Sequence, residues 1–182
     1  MRFEEIKENP YGRILLFTGE GKGKTTVALG MALRASGHGM RTLILQFIKA
    51  NSSTGEIAGC AYLPGVEIFQ TGLGLVPNEK NPRFAEHRRA AQEGLGLAVE
   101  AISSRRYDLI ILDEICTAVT KGFLEEASVV EAVRQTPPNI CMVMTGRNAT
   151  QGLISLADTV TEMRLIKHGF TEGWAAQKGV EY

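Results

Sequence analysis

The chain has 182 residues, enough for one domain with a sizeable core. Twenty Lys and Arg side chains balance 20 Asp and Glu, so a formal net charge of +0 offers no electrostatic footprint for nucleic acid or an anionic membrane. The densest basic spots, Arg88-Arg89 and Arg105-Arg106, read as solvated helix faces.

Residues 1–12 form a short tail ahead of the first expected strand. Met1 to Asn9 is charged and has no apolar centre, unlike a secretory signal. Phe3 and Ile6 are its apolar anchors, so it is expected either to fray or to act as a small lid. Arg13–Thr18 is a nearly all-apolar run, as in a strand buried on both faces. Lys24–Ser36 is rich in helix formers and meets stops at Gly37 and Gly39. A strand is expected at Thr42–Ile48, then a loop rich in Ser, Thr and Gly, then a strand at Val66–Gln70.

From Pro82 to Ser104, apolar residues recur at Phe84, Ala91, Leu95, Ala98 and Ile102 on one helical face, interrupted by Gly94 and Gly96. Leu109–Leu112 is a buried strand ending in Asp113-Glu114. A helical segment then runs through Arg134 to Pro137-Pro138. Ile140–Met144 is another buried run, and Thr159–Ile166 alternates like an edge strand. Strand and helix in alternation specify an α/β fold. The expectation is a P-loop NTPase-like (RecA-like), mostly parallel sheet with helices on both faces, forming a single domain over 13–182.

Cys60, Cys116 and Cys141 are odd in number and never spaced Cys-x-x-Cys, which reads as reduced thiols, two of them in the core. No apolar run approaches the roughly 20 residues of a membrane helix. A cytoplasmic location is expected.

The segment Gly19-Glu-Gly-Lys-Gly-Lys-Thr-Thr26 lies between a strand and a helix, where glycines let backbone N–H groups converge on phosphate oxygens. Lys24 is placed to reach the outer phosphates and the Thr25 hydroxyl to help hold Mg²⁺. The spacing is one residue off the usual pattern, since Thr18 stands where the first glycine belongs. Asp113 or Glu114, at the carboxyl end of a buried strand, supplies the other side of the metal. Arg147, after another strand end, fits a γ-phosphoryl charge, a substrate carboxylate or a plain loop. Residue patterns alone stop at an ATP-using α/β protein: a transferase, a hydrolase or kinase, or a nucleotide-gated binding module.

The chain resembles the corrinoid adenosyltransferases of the CobA/CobO/BtuR type from about Arg13 to its C-terminus. The resemblance is carried by Thr18–Thr26, Ala35-Ser-Gly-His-Gly39, Gln46-Phe-Ile-Lys49, Gly65-Val-Glu67 and Thr71-Gly72. Leu112-Asp-Glu114, Thr145-Gly-Arg147, Leu156-Ala-Asp-Thr159, Lys167-His168 and Ala176–Tyr182 complete it. It implies transfer of the 5′-deoxyadenosyl group of ATP to cobalt(I) of cobalamin or of a cobyrinic acid a,c-diamide, with triphosphate leaving. Attack at C5′ needs no hydrolytic water, so the loop's task becomes holding triphosphate and stabilising its charge.

Carried over by position, Gly19, Glu20, Gly21, Lys22, Gly23, Lys24, Thr25, Thr26 and Arg147 bind ATP, and Lys24 and Glu114 are catalytic. Thr25 and Glu114 ligate Mg²⁺ or Mn²⁺, while Asp113 orients the metal's waters or Thr25. The resemblance also implies a reduced flavoprotein as electron donor and a homodimer.

The nucleophile is then cobalt, and no histidine pairs with a nucleophilic side chain. His38, His87 and His168 each read as surface or loop residues, with a structural or nucleotide-contact role as the alternative for His38 and His168, which lie in matched segments. Two positions depart from the family pattern: the aromatic residues that follow Thr-Gly in other members, where they help displace the lower axial ligand of cobalt and so ease its reduction, are Leu73 and Leu75 here. They are either the corrinoid-side contacts or ordinary core and loop leucines.

Overall fold

The computed structural model describes residues 12–181. The expected lid or frayed tail over 1–12 therefore lies, but for Gly12, outside the described residues. Six parallel strands form one sheet in the order β3-β2-β4-β5-β1-β6. They are β1 (Ile14–Thr18), β2 (Thr42–Gln46), β3 (Val66–Gln70), β4 (Leu109–Asp113), β5 (Cys141–Thr145) and β6 (Thr159–Glu162). The helices between them are α1 (Lys24–Gly37), α2 (Gly55–Cys60), α3 (Phe84–Ser104), α4 (Ile115–Thr120), α5 (Glu126–Arg134) and α6 (Gln151–Leu156).

The period of two along the strands sorts the core into two layers. Leu16, Leu43, Leu45, Ile110, Leu112, Met142 and Met144 point to one face, where α3, α4, α5 and α6 cover them. Phe17, Ile44, Leu109, Ile111 and Val143 point to the other, against Ala28, Ala32 and Ala35 of α1 and Cys60 of α2. β2 and β4 are buried along their whole length, which is why their sequences are apolar runs rather than alternations.

The elements differ from expectation in five places. β2 stops at Gln46, two residues early, although the Phe47 N–H still donates to the Asp113 carbonyl of β4. The loop after it contains the short helix α2, which begins after Thr54. The segment read as one helix up to Arg134 is two, because Gly122 takes φ 72° after α4 and the chain turns inward to bury Phe123 and Leu124. Helix α3 runs unbroken through both glycines, and a Cβ on Gly94 would stand 2.5 Å from Thr71 Oγ1. That glycine lets the helix approach the sheet closely. β6 is shorter than expected and every residue in it is exposed.

His87 was expected at the surface or in a loop. It is instead buried on α3, its ring 5.5 Å from that of Phe123, and burial lowers its pKa. His38 is exposed, and Cys60 and Cys116 are buried as expected of core thiols. Among the described residues no helix is long and apolar enough to cross a membrane.

Candidate active site

β1 delivers the glycine-rich loop and α1 takes it away. Thr18 is still a strand residue, and its hydroxyl accepts from the Ala149 N–H at 3.2 Å. The positive φ that the turn requires falls one residue later, on Gly19 at 96°, and again on Gly23 at 113°. The off-by-one spacing therefore reflects where the strand ends. The Gly21 N–H donates to the Met163 carbonyl at 2.7 Å, which ties the loop to the segment after β6. Lys24 is buried, and its ammonium donates to the carbonyls of Gly19 at 2.6 Å and Gly21 at 2.7 Å. Burial lowers the Lys24 pKa. The Glu114 carboxylate works against this, and Arg147 adds to the lowering.

Because β5 lies between β1 and β4, its carboxyl end stands between the loop and the acidic pair. Thr145 Oγ1 donates to Asp113 Oδ1 at 2.7 Å and accepts from the Glu114 N–H at 2.9 Å. Thr25 Oγ1 donates to Asp113 Oδ1 at 2.9 Å, and Gln46 Nε2 donates to Asp113 Oδ2 at 3.0 Å. The Asp113 carboxylate is thus buried and occupied by three side-chain donors from β2, β5 and α1. Glu114 takes the left-handed conformation at φ 63°, its carboxylate accepts from the Thr117 hydroxyl, and it lines the cleft.

That cleft encloses about 540 Å³. Its floor is the loop from Glu20 to Thr26, and Glu114 and Arg147 stand on one side. Arg147 pairs with Glu20 at 3.2 Å, so the loop and the β5 end are joined by charge as well. Two parts of its wall were not foreseen from sequence. Lys49, just beyond β2, pairs with Glu56 of α2 at 2.7 Å. From the C-terminus, Lys22 pairs with Glu181 at 3.0 Å and donates to the Val180 carbonyl at 2.9 Å. Both wall pieces come from segments that matched the family pattern, Gln46–Lys49 and Ala176–Tyr182. That match was the only sequence signal they carried. His168 also lines the cleft, its Nδ1 accepting from the Phe170 N–H.

Comparison with known proteins fits this arrangement. Residues 10–182 match the family model described as ATP:corrinoid adenosyltransferase BtuR/CobO/CobP. This chain belongs to that family. The adenosyltransferase is 37% identical over 174 residues to a corrinoid adenosyltransferase of Pseudomonas aeruginosa, covering 94% of this chain and 84% of that one. It is 36% identical over 171 residues to one from Escherichia coli K12, with 94% and 86% covered. Against the corrinoid adenosyltransferase CobA of Salmonella typhimurium it is 35% identical over 173 residues, with 94% and 86% covered. Among solved structures, the flagellar accessory protein FlaH of Methanocaldococcus jannaschii superposes with a TM-score of 0.57 at 12% identity, covering 84% of this chain and 71% of that one. That likeness concerns the fold alone.

The adenosyltransferase gathers the expected ATP-binding residues Glu20 to Thr26 and Arg147 around the one cleft together with Glu114, expected as catalytic and as a metal ligand, with Asp113 directly beneath, whereas Gly19 does not line it. It separates the two leucines. Leu75 is 95% exposed and lines a second cleft of about 680 Å³ with Ile48, Lys49, Ala50 and Val76, whereas Leu73 does not line it. Among the described residues no group of three His, Cys, Asp or Glu could hold a metal ion. Water or nucleotide oxygens would complete the coordination of a divalent cation held by fewer protein groups. The hard oxygen donors of Thr25 and Glu114 suit Mg²⁺ or Mn²⁺ completed in that way.

Proposed function

We propose the following division of labour for ATP:corrinoid adenosyl transfer in this chain. The loop from Gly19 to Thr26 cradles the triphosphate with backbone N–H groups other than that of Gly21, which the Met163 carbonyl holds, and Lys24 and Arg147 offset its charge. Thr25 and Glu114 hold Mg²⁺ or Mn²⁺, which neutralises phosphate charge when bound. Asp113 is a positioning residue: occupied by Thr25, Thr145 and Gln46, it aims the Thr25 hydroxyl and is not itself a ligand. The cleft around Leu75 takes the corrinoid. The carbon–cobalt bond forms as the C5′–O5′ bond breaks, the electron pair leaving with triphosphate.

The observation that carries this reading is the convergence of β1, β4 and β5 on one hydrogen-bonded cluster, Thr25–Asp113–Thr145, beneath a cleft that also holds Lys24 and Glu114. The acceptor is cobalamin or a cobyrinic acid a,c-diamide. Residues 13–182 act as one catalytic domain, working as a homodimer with a reduced flavoprotein as electron donor. Three free cysteines support a reducing, cytoplasmic setting.

The test is anaerobic. Protein, Mg·ATP and chemically reduced cob(I)alamin are mixed, the visible spectrum is followed and triphosphate is assayed. A light-sensitive alkylcobalamin spectrum with one triphosphate per corrinoid is expected. Inorganic phosphate without a change in the corrinoid would make the site an ATPase.

A further inference from the structure

Resting on the reading that the corrinoid enters the cleft around Leu75, we propose that Lys49 is the catalytic residue that meets the oxygen released from C5′, with Glu56 as its positioning residue. The transferred carbon has to be reached from the nucleotide on one side and from cobalt on the other. Lys49 is the residue that lines both clefts. The other cations of the nucleotide cleft are engaged around the phosphate loop: Lys24 with the Gly19 and Gly21 carbonyls, Lys22 with Val180 and Glu181, and Arg147 with Glu20.

Lys49 is held at this boundary. Its ammonium lies 2.7 Å from Glu56 Oε1, its side chain is 32% exposed and that of Glu56 is 13% exposed. Burial alone would raise the Glu56 pKa, yet the hydrogen bond and charge of Lys49 keep it below its ordinary value, so Glu56 faces Lys49 as a carboxylate. As the cobalt electron pair forms the Co–C5′ bond, cobalt passes from +1 to +3 and the C5′–O5′ pair moves onto oxygen. The triphosphate leaves with that oxygen, and no further oxidant or reductant enters the step. Negative charge grows at O5′, and an ammonium fixed beside it stabilises that charge more in the transition state than in bound ATP.

The test compares wild type with Lys49→Met, Lys49→Arg and Glu56→Gln. Single-turnover rates are measured with pre-formed cob(I)alamin at saturating Mg·ATP, and ATP affinity is measured by equilibrium dialysis without corrinoid. For Lys49→Met the rate should fall roughly 10²–10³-fold, the loss typical of removing one oxyanion donor. Its ATP affinity should stay within about threefold, because a contact formed mainly in the transition state leaves ground-state binding little changed. Lys49→Arg should recover much of the rate, and Glu56→Gln should fall between. If Lys49→Met does not fold, Lys49→Gln replaces it.

A wild-type rate in Lys49→Met overturns the proposal. So does a parallel loss of rate, affinity and melting temperature that Arg does not rescue, since that marks a structural pair. Failure of the wild type to alkylate cobalt overturns the functional reading itself, and with it this assignment.

Discussion

Asp113→Asn probes the cluster on which the site depends. The native carboxylate accepts from Thr25 and Thr145 on Oδ1 and from Gln46 on Oδ2. An Asn that keeps its oxygen toward the two hydroxyls turns an amide donor toward Gln46 Nε2. Gln46 is wholly buried, and flipping it is no remedy: its Oε1 already accepts from Gln70 Nε2 at 3.0 Å, which itself donates to the Asn51 carbonyl at 3.2 Å. The relay from Gln70 through Gln46 to Asp113 has one direction.

An orphaned buried donor costs about 1–3 kcal/mol, and two charge-assisted hydroxyl bonds weaken to neutral ones. Relief of the buried charge offsets part of this, leaving a net loss of about 2–3 kcal/mol. For a domain of this size that lowers Tm by roughly 5–10 °C. Urea unfolding should show a lower midpoint at unchanged slope. Gln46→Glu on the Asp113→Asn background restores an acceptor, so the double variant should exceed the single one by about 1 kcal/mol. A loss below about 0.5 kcal/mol, or no recovery in the double variant, would refute the one-way relay.

Further outcomes are expected. Gly21→Ala sets a Cβ 2.7 Å from the Met163 and Arg164 carbonyls and should cost about 1–3 kcal/mol together with ATP binding. Gly30→Ala, in open space on α1, should gain roughly 0.5–1 kcal/mol, both read by thermal unfolding. Burial, then the Glu114 charge, pushes the Cys116 thiol from 9.0 up to about 12. In the native protein a thiol reagent at pH 8 should therefore spare Cys116 and the buried Cys60 and modify Cys141 first.

The folded state retains the Cys116 proton that the unfolded state loses. This thiol's contribution is complete below the unfolded value and declines as pH rises from 9.0 toward 12. Cys116→Ala should flatten that part of the urea-midpoint profile. Finally, Leu75→Phe should raise activity when the assay starts from cob(II)alamin with reduced flavoprotein, and leave it unchanged from cob(I)alamin. Equal effects in both assays would separate Leu75 from the reduction step.

Much of the sheet could be read directly because its central strands are short, apolar and buried on both faces, and that pattern depends only on local composition. The exceptions have tertiary causes. β6 lost its expected length because alternation in Thr159–Ile166 does not correspond to a buried face. His87 was misplaced because a polar residue on a helix reads as solvated until the Phe123 ring is seen covering it. Glycines in α3 lowered its apparent helicity, yet Gly94 is there for an approach to Thr71 that propensity does not register.

The site divides in the same way. By itself the amino-acid sequence determined the phosphate loop, the acidic pair after β4 and the family, since each resides in contiguous residues whose chemistry depends on local spacing. Tertiary structure alone decided that Asp113 is filled by donors from Thr25, Thr145 and Gln46. It decided, too, that Lys49 stands between two clefts and that the C-terminal Glu181 reaches back to Lys22. Those relations join residues from 32 to 159 positions apart. They arise from the order in which parallel strands assemble, and no local pattern in the chain encodes that order.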